Sequence, residues 1–224
     1  MEEINVETII KSKRKTIALE ITDRATLLVR APYYVSKKTI NEVIEKHKKW
    51  IKKNIERKQE ENKRKVEKEF VSGESFFYLG RAYRLFIVKN QKLPLIFDNA
   101  FYLEEEYKPF ARELFEKWYR ESAKVFIEKR LNYYSNLTGI KFRRVRITSA
   151  KRRWGSCSRE GNLCFSYRLV MAPVSVVDYV VVHELCHIEE HNHSSAFWEK
   201  VRVILPDYKN EIEWLKENGY LLDL

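Results

Sequence analysis

Apolar and polar residues alternate in several short segments of the first half of the chain. Residues 17–31, IALEITDRATLLVRA, alternate on either side of Asp23 and Arg24. Since successive side chains of a strand face opposite sides of a sheet, this segment predicts a β-hairpin. The segments SFFYLG, AYRLFIVK and PLIFDNAFYL are separated by glycine and asparagine residues and predict further short strands.

One long helix is predicted within this β-rich part. Ser36 is a suitable N-cap, and the residues at helical spacing after it are Ile40, Val43, Ile44, His47, Ile51 and Ile55. We expect His47, alone on this apolar face, to be a packed residue and not a ligand. The next segment, ERKQEENKRKVEKE, is almost wholly charged, which is typical of an exposed helical extension or a mobile connector.

The second half of the chain is predicted to be rich in helices. A long amphipathic helix is expected from Glu104 to about Asn136, with Gly139 as its stop. Its predicted inner face consists of Phe110, Leu114, Phe115, Trp118, Val125, Phe126 and Leu131. Strands are expected over residues 144–150 and 162–171, followed by a buried helix over residues 174–190. The fold class is therefore α+β, with a β-rich part over residues 1–103 and a second domain over residues 104–224.

The net charge of the chain is unevenly distributed. The 224 residues include 43 Lys and Arg against 32 Asp and Glu, a formal charge of +11, and residues 1–68 account for 19 minus 11, or +8. A basic surface attracts nucleic acid, acidic lipid headgroups or an acidic substrate. We therefore expect nucleic acid as a possible partner of the basic first third, and a lysine-rich solvated helix is the alternative.

Other features point to a cytoplasmic protein that has no membrane partner. No apolar run approaches the ~18 residues that a membrane helix needs. The N-terminal segment MEEINVETIIKSKRK lacks the apolar region of a secretory signal. The three cysteines are not arranged in C-x-x-C pairs, which is typical of reduced thiols.

Four of the five histidines lie between His183 and His193. His183 and His187 are four residues apart, so on a helix they share one face, with a rise of ~6 Å between them, and can bind one metal ion. Glu184 follows the first histidine and is suited to act as a general base toward a water molecule. This is the His-Glu-x-x-His pattern of metallohydrolases.

A catalytic zinc ion usually has three protein ligands. On a straight helix His191 would lie ~12 Å along the axis from His183, too far for both to bind the same ion. The helix must therefore end near residues 189–192, and His193 is our predicted third ligand. His191 and Glu199 remain alternatives, and we expect one Zn²⁺ ion per chain.

The segment VDYVVVHELCHIEEHNHSSAFW, preceded by RRWGSC and YRL and followed by LPDY, closely resembles the YgjP-like metallopeptidase family. That family is related to the SprT-like proteins and to the zincin metallohydrolases. The resemblance implies a minimal zincin-like domain over residues 104–224, containing the long helix, β-strands, the active-site helix and C-terminal helices. It also implies a metal-dependent hydrolase with ligands His183, His187 and His193 and with Glu184 as the catalytic residue.

The predicted reaction is hydrolysis of a peptide or protein substrate. Arg153 and Arg168 are candidates for stabilising the developing negative charge, and Tyr167 and Tyr208 are weaker ones. A structural ion pair is the alternative role for each arginine. Hydrolysis of nucleotides or other phosphorylated small molecules is the alternative function, because arginines and a positive net charge suit phosphates. A non-catalytic nucleic-acid-associated protein is a third possibility.

Overall fold

The computed structural model describes residues 6–64 and 67–224. It has a mixed α and β architecture, with six α-helices and three small sheets among the described residues. The chain divides into two compact units, Met1–Val66 and Glu67–Leu224. The boundary predicted at residue 104 falls within the second unit, because the strands before it share a core with the long helix after it.

The first unit contains a three-stranded sheet and two helices. The strands are β1 (Val6–Ser12), β2 (Ala18–Ile21) and β3 (Leu27–Pro32), in the order β1-β3-β2. β2 and β3 form the predicted antiparallel hairpin, and β1 pairs with β3 in parallel. The buried core of this unit consists of Leu27, Val29, Ala31, Ile40, Ile44 and Ile51.

The predicted single helix is two consecutive helices, α1 (Lys37–Lys46) and α2 (Lys48–Arg64). Ser36 is the N-cap of α1, as predicted, and its hydroxyl accepts a hydrogen bond from the Thr39 amide. His47 caps the C-terminus of α1 and is exposed, so the prediction of a packed histidine is wrong. α2 continues through much of the charged segment as an exposed helix, and residues 65 and 66 lie outside the described residues.

The second unit begins with a four-stranded sheet and the long helix that packs on it. The strands are β4 (Ser75–Tyr78), β5 (Arg81–Val88), β6 (Leu95–Phe97) and β7 (Phe101–Glu104), in the order β4-β5-β7-β6. The helix α3 (Ala111–Thr138) stops before Gly139, as predicted, and this glycine adopts the left-handed conformation. It begins later than predicted, because residues 105–110 form a 3-10 turn that contains Pro109.

The inner face of α3 differs in part from the prediction. Phe115 and Leu131 are buried as expected, whereas Phe110 and Val125 are 59% and 71% exposed. The other buried positions in this helix are Ala111, Tyr119, Ala123, Ile127, Tyr134 and Ser135. Small and polar residues therefore occupy part of the buried face, which a count of large apolar residues does not identify.

The remaining elements surround the histidine cluster. β8 (Arg144–Thr148), β10 (Asn162–Ser166) and β9 (Gly155–Cys157) form a sheet in the order β8-β10-β9, so that β9 is an edge strand. The predicted strand over residues 162–171 ends at Ser166, and a 3-10 turn follows it. The helices are α4 (Val174–Cys186), α5 (Ser195–Ile204) and α6 (Tyr208–Asn218). None of the helices over the described ranges is both long and apolar enough to cross a lipid bilayer.

Candidate metal centre

The helix that carries the histidines ends where the chain has to reverse. α4 ends at Cys186, and His187 is its C-cap. The Glu190 amide donates to the Cys186 carbonyl at 2.9 Å and closes a turn. The next helix, α5, starts at Ser195, and the hydroxyl of Ser194 caps it by accepting from the Phe197 amide. The reversal between the two helices brings His193 back to the first two histidines.

The three imidazoles of His183, His187 and His193 converge through their Nε2 atoms. The Nε2–Nε2 distances are 3.2 Å between His183 and His187, 3.1 Å between His187 and His193, and 3.0 Å between His193 and His183. Two ligands of a tetrahedral zinc ion, each ~2.0–2.1 Å from it, lie ~3.3–3.4 Å apart. The three nitrogens are therefore close to the spacing that one such ion requires.

Hydrogen bonding alone cannot satisfy this triangle of nitrogens. A neutral imidazole nitrogen either carries a hydrogen or offers a lone pair. Among three mutually adjacent nitrogens at least two must be of the same kind, so at least one contact is repulsive. A cation between three lone pairs removes that repulsion. The donor set therefore fits a bound metal ion, and among the residues described it is the group of His, Cys, Asp and Glu side chains that can hold one.

The outer nitrogens of two of these histidines contact groups that fix their rings. His187 Nδ1 donates to the Glu190 carbonyl at 2.9 Å, which leaves Nε2 as the lone-pair atom facing the other two rings. The Tyr179 hydroxyl lies 3.3 Å from His183 Nδ1. Burial and, to a smaller extent, the neighbouring imidazoles lower the pKa of His183 to about 3. Burial likewise lowers the pKa of His193, so both rings favour the neutral form that binds metals.

The two alternative third ligands have other partners. His191 Nδ1 donates to the His187 carbonyl at 3.0 Å. The carboxylate of Glu199 forms an exposed ion pair with Arg202, with a closest distance of 2.6 Å. His193 is therefore the residue that the chain reversal brings to the other two histidines.

Glu184 lies in the same cleft as the histidines and is 6% exposed. Its side chain lies against Gly155, the first residue of β9: a Cβ atom at that position would be 2.6 Å from both Cγ and Oε1 of Glu184. Burial raises the pKa of Glu184 to about 8, against the opposing effect of the Arg153 guanidinium. The cleft has a volume of about 490 Å³, and its lining is formed by Gly155, Ser156, Cys157, Arg159, His183, Glu184, His187, His191 and His193.

Aromatic rings pack around the histidine triangle. Phe197 is fully buried and has its ring centroid 4.4–4.9 Å from those of the three histidines. Trp198 stacks on His193 at 5.5 Å, and Tyr208 stacks on Trp198 at 5.3 Å. Tyr208, a weaker candidate for stabilising negative charge, is thus part of the aromatic support of His193.

The two predicted arginines lie in different environments. Arg153 is exposed, and its charge acts on Glu184. Arg168 is 7% exposed, and its Nε atom is 2.9 Å from an oxygen of Asp223, while its Nη1 donates to the Ser149 carbonyl. Its guanidinium also lies over the ring of Tyr167, which is buried. Arg168 therefore has the structural ion pair that the sequence left as its alternative role.

Three residues of this site were not found from the sequence. Tyr179 is four residues before His183 on the same helix, so helical spacing could have identified it. Gly155 and Arg159 belong to the segment RRWGSCSREG, in which only Arg153 was predicted from the sequence to be a site residue. Their proximity to the histidines depends on the pairing of β9 with β10, and no local pattern reports it.

The chain also matches a known protein family. A family model described as YgjP-like, metallopeptidase domain, matches residues 15–218. No curated protein matches the chain. The crystal structure of the metallopeptidase zymogen of Pyrococcus abyssi abylysin is similar at 22% identity, over 42% of this chain and 95% of that chain, with a TM-score of 0.38. That structure matches less than half of this chain, whereas the family model spans most of it.

Proposed function

Because this chain belongs to the YgjP-like metallopeptidase family, we propose that it is a zinc-dependent peptidase whose Glu184 is the general base. His183, His187 and His193 would hold one zinc ion. The observation that carries the proposal is the convergence of three Nε2 atoms within 3.0–3.2 Å beside a buried carboxylate. The choice of zinc follows from three imidazole ligands and an open side toward the cleft.

The residues of the cleft divide the chemistry among them. A divalent ion held by three imidazoles lowers the pKa of water and polarises a carbonyl group. Glu184 accepts a proton from the attacking water and delivers it to the leaving amine. Gly155 leaves room for the carboxylate beside the strand. Arg159 lines the cleft and Arg153 acts on Glu184, so either guanidinium can stabilise negative charge that develops on the substrate.

The edge strand β9 favours a peptide as the substrate. The Ser158 amide donates to Asn162, and the Ser166 amide donates to Trp154, so backbone groups at positions 154, 156 and 158 face β10. In an antiparallel pair the alternate residues, Gly155 and Cys157, direct their N–H and C=O groups to the other side. Within the described ranges no strand pairs with that side of β9, and β9 lines the cleft. An extended peptide could add there as a further strand.

The experiment compares substrate classes on one preparation. Zinc-loaded protein is offered casein, a set of fluorogenic peptides and nucleoside triphosphates, with the Glu184→Gln variant as the control. We expect hydrolysis of peptide bonds that is lost in the variant, because an amide cannot accept the proton, while zinc binding is retained. If only the triphosphates are hydrolysed, the protein is a nucleotide hydrolase and the proposed peptidase function is wrong. Equal activity of the variant would overturn the role of Glu184.

A further inference from the structure

Two segments without acidic residues meet in the first unit. Residues 8–19 and 25–41 contain no Asp or Glu. The parallel pairing of β1 with β3 places Lys11 opposite Ala31 and Ser12 opposite Pro32. Lys11 Nζ donates to the Val35 carbonyl at 2.8 Å, and the Tyr34 hydroxyl donates to the Lys15 carbonyl at 3.4 Å. The sequence KSKRK therefore lies beside APYYVSKK.

Arg30 pairs with Glu20, but the lysines of these segments have no such partner among the described residues. Lys13, Lys15, Lys37 and Lys38 are exposed, and none of them forms an ion pair within residues 6–64 and 67–224. Arg14 has a buried Nε atom without a hydrogen-bond partner.

Three lysines of α2, in contrast, form ion pairs. Lys48 pairs with Glu45, Lys58 with Glu61, and Lys63 with Glu60. These ion pairs balance the charges of the three lysines, whereas the lysines beside β1 and β3 keep an unbalanced positive charge.

Exposed aromatic rings accompany the unbalanced charge. Tyr33 and Tyr34 are 63% and 79% exposed, and Trp50 is 47% exposed. Trp50 lies in the first turn of α2, three residues after His47. Both line a recess of about 350 Å³ together with Ile17, Leu19 and Val43. Ile17 follows Lys15 by two residues, so the chain connects the recess directly to the basic segment.

From this arrangement we propose that the first unit binds single-stranded nucleic acid. The basic–aromatic surface is defined by Lys13, Arg14, Lys15, Tyr33, Tyr34, Lys37, Lys38, His47 and Trp50. Unpaired lysines can contact successive phosphates, while exposed rings offer faces on which bases stack. A duplex keeps its bases stacked on one another and would use the cations only. The recess is concave and its lining includes the rings of His47 and Trp50, which suits a planar base better than it suits insertion into a lipid surface.

The test measures fluorescence anisotropy of a labelled single strand of about 20 nucleotides, titrated with the full chain. The same measurement uses the corresponding duplex, and co-sedimentation uses vesicles that contain phosphatidylserine. We expect tighter binding of the single strand than of the duplex. With four phosphate contacts, affinity should fall about 50-fold between about 50 mM and about 200 mM salt, from a slope of about 0.7 per contact. Equal binding of the duplex, or binding of vesicles alone, would overturn the proposal.

Two pairs of variants separate the surface from the overall charge. Lys13→Glu/Lys15→Glu should abolish most of the binding, whereas Lys124→Glu/Lys129→Glu makes the same change of charge on exposed residues of α3 and should have a small effect. Trp50→Ala should weaken binding by about 5-fold or more, the loss of one stacked base. The control Tyr107→Ala removes an exposed ring elsewhere. Equal losses in both pairs would mean attraction by net charge only and would contradict the proposed surface.

Discussion

Gly155→Ala tests directly the position of Glu184, the proposed general base. The added Cβ would lie 2.6 Å from Cγ and Oε1 of Glu184 and 2.9 Å from its Cδ. Ordinary carbon contacts are about 3.5–4.0 Å, so Glu184 or the edge strand has to move by about 1 Å. The φ angle of Gly155 is not in the left-handed region, so alanine introduces this contact without strain in the backbone.

A displacement of about 1 Å in a catalytic group can reduce the rate by about 100-fold. Overpacking of a buried contact also costs about 1–3 kcal/mol of the free energy of unfolding. We therefore expect Gly155→Ala to lose about two orders of magnitude in kcat on a fluorogenic peptide or casein. Zinc affinity should be nearly unchanged, because the three atoms nearest to the new methyl group all belong to Glu184 and none to a histidine.

The assay combines three measurements on one preparation. Turnover reports the position of Glu184, chelator competition reports zinc affinity, and a thermal melt reports folding. Ser156→Ala, at the next position of the same strand, is the matched control and should retain activity. Activity of Gly155→Ala within about 3-fold of wild type would refute the reasoning, because a shift of the carboxylate should cost far more than that. Loss of zinc would refute it as well.

Three further predictions concern the support of the site. His193→Ala should lose most of the zinc affinity in chelator competition, whereas His191→Ala should lose little, because His191 contacts a backbone carbonyl. Tyr179→Phe should weaken zinc binding by about 10-fold, since removing a group that orients a ligand costs about 10–100-fold. Asp223→Asn should lower the free energy of unfolding by about 3 kcal/mol, because it leaves the buried charge of Arg168 without its partner.

Each of these variants has a result that would contradict it. Zinc lost in His191→Ala and kept in His193→Ala would mean a different ligand set. Unchanged zinc affinity in Tyr179→Phe would mean that the hydroxyl does not orient its histidine. The control for the buried pair is Glu199→Gln, which breaks an exposed ion pair with Arg202 and should leave the stability nearly unchanged. If Asp223→Asn and Glu199→Gln change urea unfolding equally, burial does not make the ion pair of Arg168 more important for stability.

Local spacing determined much of the candidate site. The interval of four between His183 and His187 places both rings on one helix face, because a helix turns once in about 3.6 residues. The rise along the axis of a straight helix would place His191 too far from His183 to bind the same ion. The chain therefore had to reverse before His193 could join the other two histidines. The His193 ring does return to the other two in the structure. Its role as a ligand remains a prediction until zinc binding is measured.

Alternation and capping residues determined the hairpin and several ends of helices in the same way. Ser36 starts α1 and Gly139 ends α3, because a side-chain cap and a left-handed glycine act within a few residues of the chain. The inner face of α3 was only partly predicted. The neighbouring elements select Tyr119 and Ala123 for burial and leave Val125 in solvent, and the periodicity of one helix does not contain that information.

Tertiary structure alone decided which distant residues meet. Gly155 contacts Glu184 because the antiparallel pairing of β9 with β10 places the edge strand beside α4. Arg168 binds Asp223 across 55 residues of chain, which gives it an ion pair where the sequence left open a catalytic role. Periodicity reports which face of an element is apolar, since it depends on the geometry of one helix or strand. The partner of that face is set by packing among elements that are far apart in the sequence, and no local repeat encodes such a contact.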